Sequence, residues 1–286
     1  MDDIHQLRKL AIPLESDARD YQELYESIDT ARFVLLGEAS HGTAEFYQER
    51  IKITKKLITD DGFDAVVIEG DWPDSYRVNE YVNSRSSDAS GEAALLGFQR
   101  FPTWMWRNEE VLEFVEWLKI HNSTKTEGKR GVGFYGMDLY SLFTSMDVVL
   151  KYLFKADPVL AEKAKVRFSC FDHYNKDSQL YGYLASYSER LHGCEYEVVE
   201  QLKEMLKMKQ YLQSMEPSNP DHVFSMLQNT RLIKNAENYY RTMFGGRVSS
   251  WNLRDEHMVE TIAETDRFLS KELGRPAKII VWAHNS

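Results

Sequence analysis

Four short, almost unbroken apolar runs constrain this chain more than anything else in it. RFVLLG (32–37), DAVVIEG (64–70), RGVGFYGMD (130–138) and AKIIVWAH (277–284) lack the alternation of a half-exposed sheet. They read as strands buried on both faces, as parallel strands under flanking helices are. Between the first two lies TAEFYQERIKITKKLITDDG, in which Phe46, Tyr47, Ile51, Thr54, Leu57 and Ile58 recur at helical spacing and Gly62 supplies a stop. Strand, helix and strand in about 35 residues make a βαβ unit with parallel strands.

After Asp71 the sequence predicts a short helix, then a polar loop around Ser84–Gly91. Glu109–Asn122 places Val111, Leu112, Val115 and Leu118 on one face of a helix before the third strand. From Ser141 to Leu273 strand signals nearly vanish and long amphipathic helical patterns take over. The expected architecture is therefore α/β: a mainly parallel sheet with flanking helices and a large helical insertion. Its divisions are a core with the site loops over 1–140, the insertion over 141–273, and a return strand over 274–286. No closing helix follows that last strand, so the sequence is expected to be shorter than the natural protein, or the sheet edge to be covered by something else.

Charge narrows the function. With 45 acidic against 35 basic side chains the net charge is −10, which argues against nucleic acid, since that binding draws on clustered Lys and Arg. A small neutral or cationic molecule suits the chain better. The opening MDDIHQLRKL lacks a signal peptide's basic-then-apolar plan, and no apolar run approaches the ~20 residues of a membrane span. The expectation is a cytoplasmic protein with no membrane association; the oligomeric state is left open. Cys170 and Cys194 are expected to be small buried apolar groups, because the neighbouring His173 and His192 do not make a usual zinc spacing.

Ligands of open parallel sheets bind at the carboxyl ends of the strands. The first strand ends in Glu38, Ser40 and His41, the second in Glu69 and Asp71, the third in Asp138, the fourth in His284 and Asn285. A carboxylate beside an imidazole fixes the ring tautomer and lets the histidine take a proton from water near neutral pH; Glu38 and His41, three apart at a strand-to-helix turn, suit that task. Arg50, on the first helix, is either a surface charge or an anion clamp. GVGFYG (131–136) matches a dinucleotide fingerprint only in letters, being itself the strand, and Ala-Ser-His-Gly is no serine elbow.

GEASHG after the first strand, VVIEGDWPDS after the second, WMWRNEEV, NLRDEHMVE and the final VWAHNS together resemble the erythromycin esterase family, from about Arg32 to Ser286. The resemblance implies an α/β core with a helical insertion, a deep cleft, and cofactor-free, metal-independent hydrolysis in which a histidine activates water. It makes His41 the catalytic base, Glu38 its acidic neighbour, Arg50 the site arginine and His284 the histidine after the last strand. Glu69 faces the same cleft, and Arg254 and Asp255 fall in a segment where a site role is plausible. The family usually shows W-A-H-N-x-H, and this sequence stops one residue short of the second histidine.

Three readings follow. The first is a carboxylic ester hydrolase acting on a small molecule, a macrolactone among the candidates, with Arg50 or His284 stabilising the oxyanion. The second is a metallohydrolase in which His41, Glu38, Glu69 and His284 hold a divalent ion. The third is a non-catalytic domain whose acidic cleft, with Asp71 and the indoles of Trp72, Trp104 and Trp106, binds a hydrophobic or cationic ligand.

Overall fold

The computed structural model describes residues 3–11, 14, 21–126, 129–187, 193–216, 219–244 and 247–285. Helices α1 (Asp3–Leu10) and α2 (Gln22–Ile28) lead into β1 (Phe33–Glu38), and α3 (Ala44–Thr59) leads to β2 (Ala65–Asp71). Then α4 (Trp72–Val82), α5 (Gly91–Leu95) and α6 (Glu109–Ser123) precede β3 (Gly133–Asp138). The helical block runs through α7 (Leu142–Ala156), α8 (Pro158–Phe168), α9 (Ser178–Tyr187), α10 (Glu195–Met215), α11 (Pro220–Thr242) and α12 (Arg247–Leu273) to β4 (Ile279–His284). Local chemistry sets several boundaries. Asn108 caps α6 by accepting the Val111 N–H at 2.8 Å, Asp157 caps α8 ahead of Pro158, and Gly62 takes the left-handed φ of +67° just past α3.

All four strands are parallel, in the order β1-β4-β2-β3. The β1–α3–β2 unit therefore spans a gap one strand wide, filled by β4 from the far end of the sequence. Nothing local in the unit reveals that gap, because the hydrogen bonds that fill it come from distant residues. One strand also departs from the expectation of burial on both faces. Leu35 is 73% exposed, since β1 lies at the sheet edge and turns Val34 and Glu38 inward while Phe33 and Leu35 face out. β2 and β3 are buried throughout.

The period of two along each strand divides the core. Val66, Ile68, Phe134, Ile280 and Trp282 join Tyr47 and Leu57 of α3 and Phe114 and Leu118 of α6 on one face. On the other, Val67, Tyr135, Met137 and Val281 pack with Leu142 and Val149 of α7 and Leu227 and Ile233 of α11. Buried indoles are anchored by polar ends: Trp282 Nε1 donates to Thr54 Oγ1 at 3.0 Å and Trp72 Nε1 to Ser225 Oγ at 3.1 Å.

The two cysteines were expected to be separate thiols, but Cys170 and Cys194 form a disulfide, with Cα atoms 5.9 Å apart. It ties the turn after α8 to the start of α10, a proximity created only when α8, α9 and α10 pack together. Of the imidazoles weighed for zinc, His173 is exposed and His192 lies outside the described residues.

Candidate active site

The turn after β1 must reverse the chain into α3 within a few residues, and Gly42 makes this possible. Its φ is +80°, and a Cβ there would meet the Trp104 ring at 2.8 Å, so glycine is required both by the backbone and by the indole lying on it. The reversal brings His41 back over its own strand. His41 Nδ1 donates to Glu38 Oε1 at 2.7 Å, with Glu38 buried and the imidazole 32% exposed. A carboxylate only accepts, so the neutral ring carries its proton on Nδ1 and keeps Nε2 as a base.

Arg50 is not a surface charge. It is buried behind Glu38, its Nη2 3.0 Å from Glu38 Oε2. The two groups are not aligned for a hydrogen bond, so the attraction is Coulombic. The guanidinium also lies over the rings of Tyr47, at 4.9 Å, and Trp282, at 5.2 Å. Burial pulls the Arg50 pKa down and the Glu38 charge opposes it.

Parallel register decides which other strand ends meet here. Glu38 pairs with His284 across β1 and β4, and the His41 and His284 rings lie 4.8 Å apart, tilted by 51°. Glu69, from β2 on the far side of β4, accepts the His284 backbone N–H at 2.7 Å through Oε2. Its Oε1 accepts from Arg254 Nη2 at 2.6 Å. Arg254 in turn grips Asp138 with two bonds, from Nε at 2.9 Å and from Nη2 at 2.8 Å. Burial opposes the Arg254 charge, but the bonds and charge of Asp138 outweigh it and push the pKa further up. One arginine thus joins α12 to the ends of β2 and β3 and, through Glu69, to β4.

Asp71 and Trp106 are buried and line a neighbouring cleft together with Glu69 and Asp138. Asp255 is exposed on α12, one residue and about 100° around the helix from Arg254, and is not brought to the site. Asp138 ends a buried strand and so was visible in the sequence, but its bond to Arg254 was not. The contact of Trp104 with Gly42 and the burial of His257 beside Asn235 had no sequence signal. Among the described residues no three or more His, Cys, Asp or Glu side chains converge as a metal-binding group.

Burial, then the charges of Asp138 and Asp74, push the Asp71 carboxyl from 3.8 up to about 7; burial does the same to Asp74. Between these values the folded chain holds a proton that the unfolded chain releases. Stability from Asp71 is thus complete below its unfolded value and is lost as pH rises through about 7. Asp71→Asn is expected to be more stable than wild type at pH near 8 and to lose that advantage at pH near 4, as read by denaturant unfolding. A pH-independent difference would show that Asp71 is not held protonated.

The Erythromycin esterase family model matches residues 58–286. The Bacillus subtilis (strain 168) protein YbfO is 23% identical over 98% of this chain, and the chain spans 62% of YbfO's length. A Bacillus cereus crystal structure, 20% identical, superposes over 100% of this chain and 67% of its own with a TM-score of 0.76. The open conformation of a histidine-to-asparagine mutant of erythromycin esterase EreC, 18% identical, superposes over 94% of this chain and 64% of its own with a TM-score of 0.61. With the family model covering most of the sequence and the same fold in these structures, this chain belongs to the erythromycin esterase family.

Proposed function

We propose that this chain carries the water-activating half-site of a carboxylic ester hydrolase. The observation that supports this most directly is the bond from His41 to buried Glu38, which leaves the other ring nitrogen of a part-exposed imidazole available as a base. His41 Nε2 takes a proton from water as the water oxygen bonds to the ester carbonyl carbon. Glu38 stabilises the imidazolium, and Arg50 offsets the Glu38 charge. The carbonyl then reforms, the bond to the alcohol oxygen breaks, and His41 returns the proton to that oxygen. His284, with its ring beside His41, is the neighbour suited to the developing oxyanion. Arg50 is too deep for that role, being 3% exposed.

The metal reading has less support: Glu69 is engaged by Arg254 and the His284 backbone, and Glu38 by His41 and Arg50. Among the described residues no helix is long and apolar enough to cross a membrane. Macrolactones head the candidate substrates, because EreC is by name an erythromycin esterase. Incubation with a macrolide and a panel of simple esters in heavy-oxygen water is expected to yield a carboxylic acid carrying one solvent oxygen. Folded protein that releases no acid from any ester would overturn the proposal.

A further inference from the structure

Glu69, which accepts the His284 backbone N–H, also lines a small cleft with Asp71, Asp74, Phe98, Arg100 and Trp106. Two of these side chains present buried polar atoms that the fold itself leaves without a partner. Asp71 is 8% exposed and Trp106 4%, yet among the described residues Asp71 Oδ1 and Trp106 Nε1 have no hydrogen-bond partner. Such groups are normally paired, because burial strips them of water. Gly70 admits the indole edge, since a Cβ there would lie 3.2 Å from Trp106 Nε1.

The pair consists of one fixed acceptor and one fixed donor in the same cleft, and this selects among ligand chemistries. An ammonium group satisfies Asp71 but turns another donor toward the indole N–H. A carboxylate or phosphate satisfies Trp106 but is repelled once Asp71 and Asp74 ionise, above about pH 7, with Arg100 the cation set against them. A hydroxyl serves in either state of Asp71, accepting from Trp106 while it donates to the carboxylate or to the carbonyl oxygen of the protonated acid. The ring surfaces of Phe98 and Trp106 suit the apolar C–H face of a polyol ring. The segment that carries Trp106 also touches the turn and helix around His41: Trp104 lies on Gly42, and the Met105 carbonyl accepts from Tyr47 Oη at 2.8 Å.

We propose that this cleft is a hydroxyl-recognition subsite, in which a sugar-like or polyol portion of the ester substrate is held by Asp71 Oδ1 and Trp106 Nε1. The proposal rests on the hydrolase reading for its substrate, but its test does not. In the catalytically disabled His41→Ala protein, glucose monobutyrate is expected to shift the Trp106 indole N–H resonance, assigned by its loss in Trp106→Phe, while butyl butyrate leaves it in place. In the active protein, the ratio of kcat/KM for glucose monobutyrate over butyl butyrate is expected to fall about tenfold on Trp106→Phe and again on Asp71→Ala. An unmoved resonance at saturating glucose monobutyrate would overturn the subsite and leave it as a place for ordered water only. If neither ester is hydrolysed, the hydrolase reading is decided by the wider ester panel, and the resonance alone decides the subsite.

Discussion

Replacing His41 with Ala is expected to lower kcat by about 10²–10⁴-fold, the range over which a positioned general base acts. The fold should survive, because the imidazole is part-exposed and its recorded bond is to Glu38 within its own turn. Glu38→Gln is the more informative partner. It keeps the shape but removes the acceptor-only group that assigns the ring proton, and it leaves buried Arg50 facing a neutral amide. We expect a kcat loss within the same range, with a smaller change in KM, measured on whichever ester the wild-type chain cleaves. Full activity in His41→Ala, with circular dichroism unchanged, would exclude His41 as the base.

The largest effect on stability is expected at Arg254, whose guanidinium bonds both Glu69 and Asp138. Arg254→Met removes the cation that holds Glu69 and Asp138, two buried carboxylates. Breaking a buried pair from one side typically costs about 3–5 kcal/mol, because an uncompensated charge stays behind. A shift of the urea midpoint equivalent to that loss is the expected result. Adding Asp138→Asn and Glu69→Gln should recover part of it, since neutral amides do not repel each other when the arginine is gone. A loss below about 1 kcal/mol would mean that the three groups behave as a solvated surface network. A secondary effect on kcat is expected as well, because Glu69 also fixes the His284 backbone N–H.

Much of this molecule can be read from local patterns. The four strands, the helix after β1 and the helix before β3 follow from periodicity and stop signals, and the predicted spans differ from the observed ones by a few residues at most. The pairing of Glu38 with His41 was also legible, because both residues belong to one turn and their separation is set by the backbone between them. The GEASHG and VWAHNS segments carried the family resemblance, which the family model supports over residues 58–286.

What local pattern could not supply was adjacency between segments far apart in the chain. The position of β4 between β1 and β2, the exposure of Leu35, the burial of Arg50 behind Glu38 and the disulfide between Cys170 and Cys194 all depend on such adjacency. So does the meeting of Arg254 with both Glu69 and Asp138. The sequence by itself determined the strands, their polar ends and the His41 turn, because those depend on short-range geometry and on burial encoded in a few neighbouring residues. Only the tertiary structure decided which polar ends share a site, because register and strand order arise from hydrogen bonds and packing between segments that approach one another only in the folded chain.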